Sequence, residues 1–432
     1  MLRLDSEKIY KYAIEENMPN EAVKKALMEK SFNNEGKIIL VSIGKAGWEM
    51  ARAAYEILGE RISCGAVITK YGHTPNEYKM QNVKCEIENV SDALVGCLGN
   101  VEIYEAGHPV VDENGVLATK RVLELTSDLT DKDTVLFLVS GGGSALFESV
   151  DCHLEKMQEL TTALLKCGAN INEINAIRKH ISNVKGGKLA HHVFPAKVFS
   201  VVLSDVVGND LSTIASGPTT ADNTTVENCL EILNKYSLAV DDEVVRLIKR
   251  ETPKVIENAT HSISGSVTML CKSAMKMSVE LGYEAVIVDD SVTCDAEILS
   301  QRMSQFIKEN ENTKYPRAFI FGGEVTIKVK GNGKGGRNQE LALMCAELIE
   351  GKDNMCVFCV GSDGTDGPTD AAGGFVDGKT CENILKSGKS SKEYLKNNDS
   401  YNALKLSDGL IFTGPTGTNV NDLYVILIEP KA

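Results

Sequence analysis

Short runs of apolar, largely β-branched residues, each ending in a loop rich in glycine or hydroxyl groups, most constrain how this chain folds. They occupy residues 37–43, 66–69, 135–139 and 199–203. Because the apolar residues are continuous rather than alternating, both faces of each strand must be covered, as in a parallel sheet between helices. Helical patterns separate the runs, so the sequence predicts an α/β protein.

The strand–helix pattern is interrupted near residue 250. A charged helical stretch, 226–249, is followed by Pro253, and a second α/β pattern then begins. We predict an N-terminal domain over 1–250, with a doubly wound, Rossmann-like, mostly parallel sheet that has helices on both faces. We predict a smaller α/β domain over 251–432. Packing of its last strand, 424–428, against the first domain is left open.

Two further features of the second half carry structural predictions. Residues 325–330 alternate between apolar and polar side chains, which predicts a strand with one solvated face. Residues 388–400 are polar and predict a surface excursion.

Charge and hydropathy exclude several classes of protein. The formal net charge is −14, which argues against a nucleic-acid-binding protein. No segment approaches the roughly 20 consecutive apolar residues of a membrane helix, and the first residues lack the apolar core of a signal peptide. We therefore expect a cytoplasmic protein that acts on a small molecule. The oligomeric state is left open, a homodimer included.

Two glycine-containing loops follow predicted strands of the first domain. Gly44–Gly47 contains Lys45, and the second loop is Ser140–Ser144. Ligands of such sheets bind beyond the carboxyl ends of the strands, and glycines let the backbone wrap an anion. We assign phosphate binding to Gly141, Gly142, Gly143 and Ser144.

A second glycine-rich stretch matches G-x-G-x-x-G at residues 331, 333 and 336. A dinucleotide-binding site needs a buried strand before these glycines and an acid about 20 residues beyond them. The preceding strand is amphipathic, and Asp363 lies 27 residues after Gly336. The alternative of a nicotinamide-binding reductase is therefore disfavoured. We interpret Gly333, Lys334, Gly335 and Gly336 as a nucleotide or phosphate loop.

Carboxylates and cations near these loops supply further candidates. Asp205 directly follows a predicted buried strand, and Asp363 and Asp366 lie between glycines after another. Such carboxylates suit Mg²⁺ or the acceptance of a hydroxyl proton. Arg178 belongs to a cluster of cations that meets a carboxylate or phosphate, or else forms a solvated helix face.

Taken in order, these segments resemble the 2-phosphoglycerate-forming glycerate kinases with a C-terminal MOFRL domain. The motifs that carry the resemblance are Gly44–Ala46, Ala106–Val110 with Asp112, Ser140–Ser144, Arg178–His180, Ser204–Val206, Ser216–Pro218, Gly322–Thr326, Gly335–Glu340, Thr365–Gly367, Thr369–Gly373 and Gly414–Asn419.

The resemblance implies ATP-dependent phosphorylation of the 2-hydroxyl of D-glycerate with a divalent cation, in a cleft between two α/β domains. Members of this family have also been labelled hydroxypyruvate reductases, and an NAD(P)H-dependent reductase is the alternative function.

Within the kinase interpretation, the residues receive roles. Substrate binding is assigned to Lys45, Arg178 and Asn338, because glycerate carries a carboxylate. Either glycine loop holds the phosphates of ATP. Arg337 offsets charge on the transferred phosphoryl group.

The carboxylates of the kinase interpretation share two roles. Magnesium binding is assigned to Asp205, Asp363 and Asp366. Either Asp205 or Asp366 accepts the proton of the hydroxyl. The residues predicted to be catalytic are therefore Lys45, Asp205, Arg337 and Asp366.

Overall fold

A computed structural model describes residues 1–79 and 93–431 of the chain. It divides into two compact units. The N-terminal unit comprises Ala22–Ser204 and Asn209–Ser264, and the C-terminal unit comprises Met1–Glu21, Asp205–Gly208 and Gly265–Ala432. The domain limits predicted from the sequence, 1–250 and 251–432, stay a prediction. No described helix combines the length and apolar character that crossing a bilayer requires.

The N-terminal unit is built on a seven-stranded sheet in the order β3-β4-β2-β1-β5-β6-β7. The strands are β1 (Ile38–Ile43), β2 (Ile62–Lys70), β3 (Leu94–Leu98), β4 (Val101–Ala106), β5 (Thr134–Val139), β6 (Lys197–Leu203) and β7 (Ala259–Gly265). Strands β4, β2, β1, β5 and β6 are parallel neighbours, and β3 is antiparallel to β4. All residues of β1 and β5 are buried, which explains their continuous apolar runs.

Strand β4 is buried along its whole length, yet its sequence does not form an apolar run. Glu102 and Glu105 interrupt it, and both are buried because each has a cationic partner. Arg121 lies 2.9 Å from Glu102, and Lys79 lies 3.0 Å from Glu105. Paired carboxylates of this kind conceal a buried strand from pattern analysis.

Ten of the α-helices in the described residues precede β7. They are α1 (Leu2–Glu15), α2 (Pro19–Met28), α3 (Gly47–Leu58), α4 (Glu113–Leu125), α5 (Gly143–Leu146), α6 (Leu154–Lys166), α7 (Ile171–Ile181), α8 (Lys188–His192), α9 (Val226–Lys235) and α10 (Asp242–Ile248). Helices α6, α7, α9 and α10 share an apolar core of their own. A capping box between Asn170 and Glu173 starts α7.

The C-terminal unit contains a six-stranded sheet in the order β12-β11-β10-β13-β9-β8. The strands are β8 (Glu284–Val292), β9 (Arg317–Gly323), β10 (Met355–Gly361), β11 (Gly373–Asp377), β12 (Leu410–Ile411) and β13 (Asp422–Ile428). Only β8 and β9 form a parallel pair among these described strands. The last strand, β13, lies between β10 and β9 with all its residues buried, so it belongs to this sheet.

Helix α13 supplies much of the apolar core of the C-terminal unit and packs on β10 and β11. The later helices are α11 (Val267–Glu280), α12 (Ala296–Glu309), α13 (Arg337–Leu348), α14 (Thr380–Leu385), α15 (Ser391–Lys396) and α16 (Ser400–Leu406).

The prediction of a strand at 325–330 is wrong. One isolated bridge, Thr326 to Asp295, is formed there, and no ladder follows. The backbone N–H of Lys330 donates instead to the Asn398 side chain over 2.7 Å. The stretch at 388–400, predicted to be a surface excursion, contains α15 and supplies this buried asparagine.

A fully buried ion pair lies inside the N-terminal unit. Lys185 Nζ is 2.6 Å from Glu148 Oε2 and donates to the Phe147 carbonyl over 2.9 Å. Neither side chain has any exposed surface. Burial lowers the pKa of Lys185 to about 8, although Glu148 opposes this shift.

We expect Lys185→Met to reduce the free energy of unfolding by about 3–5 kcal/mol, because it leaves a buried carboxylate without a countercharge. Urea unfolding followed by fluorescence of Trp48, the single tryptophan, reports on this unit. The control is Lys132→Met, whose 2.8 Å pair with Glu35 is exposed and is worth at most about 1 kcal/mol. Equal losses in the two variants would contradict the expectation.

Candidate active site

Four adjacent parallel strands, β4, β2, β1 and β5, end at one edge of the N-terminal sheet, here called the carboxyl edge. The loop after β1 is Gly44–Gly47, the lysine loop. The loop after β5 is Ser140–Ser144, the triglycine loop. The residues that follow β2 and β4 include His73 and His108. Ligands of parallel sheets bind at such an edge.

Hydrogen bonds join the lysine loop to the triglycine loop. The N–H of Lys45 donates to the Gly141 carbonyl over 2.9 Å, and the N–H of Ala46 donates to Ser140 Oγ over 3.0 Å. Gly44 has a φ of +111°, and a Cβ there would lie 2.3 Å from Ser140 Oγ. Only glycine fits this close approach, so the two loops hold Lys45 at the carboxyl edge.

Two histidines accompany Lys45, and neither has a role among the residues predicted from the sequence. A Cβ added to Gly142 would lie 2.9 Å from His108 Cδ2 and 3.3 Å from Lys45 Cγ, so both side chains lie over the triglycine loop. His73 Nδ1 is 2.9 Å from the Lys45 carbonyl oxygen. The signal available for His108 was its place in the Ala106–Val110 motif.

The state of His108 follows from its surroundings. Burial lowers its pKa, and the positive charges of Lys45, Lys70 and His73 act in the same direction. Both effects favour the neutral form of the imidazole.

Arg178, on α7, reaches the same loop. Its Nη2 donates to the Ser144 carbonyl over 3.2 Å, and its buried Nε has no hydrogen-bond partner in the described part of the chain. Ser144 Oγ is 3.0 Å from Ser216 Oγ, which also donates to the Asn175 side chain over 3.3 Å. The structure thus brings Lys45 and Arg178 to the triglycine loop, and the roles predicted for these residues stay predictions. The N–H of Gly143 already donates to the Ser140 carbonyl over 3.3 Å.

In the C-terminal unit, Arg337 begins α13 and has two carboxylate partners. Its Nε and Nη2 donate to the two oxygens of Asp422 over 2.6 and 3.1 Å, and its Nη1 pairs with Glu324. Asp422 is buried, and burial raises its pKa to about 6 although Arg337 opposes the shift. Tyr424 donates to the same carboxylate over 3.2 Å. Sequence reasoning missed Asp422 and Glu324 as partners of Arg337.

Asp366 forms an N-terminal cap of α13. Its Oδ1 accepts the backbone N–H of Asn338 over 3.0 Å and the Asn338 side chain over 3.3 Å, while its Oδ2 accepts the backbone N–H and side chain of Gln339, both over 2.9 Å. Its carboxylate therefore has four donors, and burial raises its pKa. Its predicted metal-binding and catalytic roles stay predictions, as does substrate binding by Asn338, whose buried Oδ1 has no partner among the described residues.

Asp363 differs from Asp366 in its surroundings. One of its oxygens accepts the N–H of Thr365 over 2.9 Å, and the side chain is partly exposed. The Oδ1 atoms of Asp363 and Asp422 both lie 3.4 Å from the point that a Cβ on Gly361 would occupy. The third predicted metal ligand, Asp205, lies two residues after the end of β6, is partly exposed and groups with the C-terminal unit.

The loop at 331–336 packs against the segment that follows α15. The N–H of Gly333 donates to the Asn397 carbonyl over 2.8 Å, and the N–H of Lys334 donates to Asp399 over 3.0 Å. A Cβ on Gly335 would lie 2.2 Å from Ser400 Oγ, and one on Gly336 would lie 2.3 Å from Asp366 Cγ. The glycines of this loop thus permit close packing, and phosphate binding here stays a prediction.

We expect Asp366→Asn to lower the free energy of unfolding by about 1–3 kcal/mol, because an amide leaves buried N–H donors at the start of α13 without an acceptor. The matched control is Asp363→Asn, with an expected change within about 0.5 kcal/mol. Urea unfolding monitored by circular dichroism measures both. A larger loss for the Asp363 variant would contradict the capping role.

A family model described as a domain of unknown function, DUF4147, matches residues 5–249, and the MOFRL family model matches residues 317–422. The structure is similar to a crystal structure of a glycerate kinase from Thermotoga maritima, with a TM-score of 0.91 and 48% sequence identity. The match covers 99% of both chains.

Two curated relatives carry different names. A D-glycerate 2-kinase of Thermotoga maritima is 48% identical over 97% of each chain. A putative hydroxypyruvate reductase of Agrobacterium vitis matches at the lower identity of 33%, over 91% of this chain and 100% of its own. The higher identity, extending along nearly the whole of both chains, shows that this chain belongs to the family of glycerate kinases with a C-terminal MOFRL domain.

Proposed function

We propose that this protein transfers the γ-phosphoryl group of ATP to the 2-hydroxyl of D-glycerate, giving 2-phosphoglycerate and ADP. The observation that carries the proposal is the carboxyl edge of the N-terminal sheet, where Lys45 and Arg178 meet the triglycine loop. This concentration of cations in a protein of net charge −14 suits an anionic substrate. The relative from Thermotoga maritima is a D-glycerate 2-kinase, which supports the same reaction.

Lys45 and Arg178 bind the carboxylate of glycerate in this proposal. Arg178 retains a buried N–H donor, at Nε, without a partner in the described residues. An unsatisfied buried donor costs free energy that a bound carboxylate recovers. Charge-assisted hydrogen bonds to a carboxylate are also stronger than those between neutral groups.

The triglycine loop holds the phosphates of ATP. Gly142, with a φ of +87°, is partly exposed at the carboxyl edge beside Lys45, and such loops bind phosphate. The alternative cradle, 333–336, has less support because its glycines are closely packed: added Cβ atoms would lie 2.2–2.4 Å from Ser400, Asp366 and Asp399.

Arg337 offsets the charge of the transferred phosphoryl group. Asp422 and Glu324 hold its guanidinium from two sides. A cation that is oriented before the reaction begins stabilises developing charge without the cost of reorganisation.

Of the predicted metal ligands, Asp363 suits Mg²⁺ because its carboxylate is partly exposed and accepts a hydrogen bond from Thr365, only two residues away. No group of three or more His, Cys, Asp or Glu in the described ranges forms a metal cage. Kinase Mg²⁺ is commonly held by one or two carboxylates plus substrate phosphates. When bound, the ion neutralises charge on the β- and γ-phosphates. Asp205 is a second candidate, whereas Asp366 would have to give up its bonds to α13.

The reaction is tested by ³¹P NMR of D-glycerate, ATP and Mg²⁺ incubated with the purified protein. We expect a 2-phosphoglycerate signal that grows as ATP is consumed. A 3-phosphoglycerate signal would overturn the proposed regiochemistry. Oxidation of NADH on hydroxypyruvate without a phosphorylated product would favour the reductase alternative.

Replacing Lys45 tests the anion site. We expect Lys45→Met to lower kcat/KM for D-glycerate by about 10²–10³-fold, because one charge-stabilising donor is lost. Steady-state kinetics with a coupled ADP assay measures the change, and Lys132→Met is the matched control. Retention of wild-type kcat/KM by the Lys45 variant would remove Lys45 from the site.

A further inference from the structure

We propose that His108 is a catalytic residue that accepts the proton of the glycerate hydroxyl as phosphoryl transfer proceeds. The inference rests on the proposed kinase function and deepens it, since it names a base for the reaction. It starts from a residue that neither the composition of the two glycine loops nor the carboxylate pattern identified.

The position of His108 supports this role. The residue follows β4 at the carboxyl edge, next to the strand whose end carries His73. Its Nε2 lies 3.0 Å from the point that a Cβ on Gly142 would occupy, and Lys45 Cγ lies 3.3 Å from the same point. The imidazole and the Lys45 side chain therefore lie side by side over the triglycine loop.

This neighbourhood selects the 2-hydroxyl. In glycerate, the carbon that bears the 2-hydroxyl is bonded directly to the carboxylate carbon, whereas the 3-hydroxyl is one carbon further away. A base beside the cation that holds the carboxylate therefore reaches the 2-hydroxyl first. A general base must lie within hydrogen-bond reach of the proton it removes, and this placement meets that requirement only for a substrate whose carboxylate lies at Lys45.

The hydrogen bonding and charge around His108 also suit a base. Neither ring nitrogen has a hydrogen bond within the described residues. The titratable groups that face it are Lys45, Lys70 and His73. Asp112 lies beside Gly107, the residue before His108, and its Oδ2 is 2.9 Å from the point that a Cβ on Gly107 would occupy. The same oxygen accepts the Tyr71 hydroxyl over 2.6 Å.

The carboxylate proposed for this role in the C-terminal unit is less suitable. Both oxygens of Asp366 accept two donors each from the start of α13. Taking up a proton there would break bonds that hold the helix start. Asp205 remains the competing base, and the experiment includes it.

The step balances without a further reactant. The O–H bond of the 2-hydroxyl breaks, and its proton moves to a ring nitrogen of His108. The oxygen forms a bond to the γ-phosphorus, and the bond from that phosphorus to the β–γ bridging oxygen breaks. ADP leaves with the electron pair, and the imidazolium then releases its proton to water.

The test compares His108→Gln with the control His191→Gln, which replaces an exposed histidine of the same unit. We expect kcat of the His108 variant to fall by about 10²–10⁴-fold, the usual range for a general base, with KM for ATP unchanged. The wild-type kcat/KM should decline below the lowered pKa of His108, where the imidazole is protonated. The His108 variant should lose this acidic limb. The control should keep both the rate and the limb.

Three results would overturn the proposal. In the first, the acidic limb of the kcat/KM profile persists in His108→Gln. In the second, Asp205→Asn loses that limb while His108→Gln retains it. In the third, kcat of His108→Gln stays within threefold of wild type. Failure of wild type to phosphorylate glycerate would instead refute the proposed function, so the two failures are distinct.

A second variant guards against misfolding of His108→Gln. Gly142→Ala leaves the histidine in place but puts a methyl group 2.9 Å from its ring. We expect kcat to fall at least tenfold with the Trp48 unfolding transition still cooperative. Unchanged kcat in a folded Gly142→Ala protein would also contradict the proposal.

Discussion

The candidate site depends on the contact between the lysine loop and the triglycine loop. Two hydrogen bonds, from the N–H groups of Lys45 and Ala46, tie the end of β1 to the end of β5. The contact exists because Gly44 has no side chain and adopts a positive φ. A side chain there would push the two strand ends apart, and Lys45, His108 and Arg178 would lose their common neighbour.

The C-terminal unit depends on a comparable device at the start of α13. Asp366 caps the first turn, and Asn398 accepts the N–H groups of Lys330 and Gly331 over 2.7 and 3.0 Å while donating to Glu340 over 2.8 Å. These buried polar bonds hold a loop that has no strand or helix of its own. Arg337 is the first residue of this helix and donates to Asp422.

The sequence was sufficient to predict strands whose buried residues are almost all apolar, such as β1 and β5, and to place Lys45 and the triglycine loop at their ends. It was insufficient wherever burial is achieved by pairing. Strand β4 was missed because Glu102 and Glu105 are neutralised by residues that are distant in the chain. Because β4 was not predicted, the sequence alone could not place His108 at the carboxyl edge of the sheet.

The glycine-rich stretch at 331–336 shows the opposite limit. Its spacing indicated a phosphate loop, yet the four amides of residues 331–334 donate to the segment 397–399, and three of its glycines pack against 397–400. Glycine permits close approach to a phosphate or to another part of the backbone equally well. Only the three-dimensional partners distinguish these uses, and here they lie more than 60 residues further along the chain.

The central claim is that the carboxyl edge of the N-terminal sheet binds the substrate carboxylate beside Lys45 and His108. The most direct test is a crystal structure of the protein with D-glycerate and a non-hydrolysable ATP analogue. The account predicts the glycerate carboxylate within hydrogen-bond distance of Lys45 Nζ, with the 2-hydroxyl oxygen facing the His108 ring. Glycerate bound away from both side chains, with the triglycine loop free of any ligand, would contradict it.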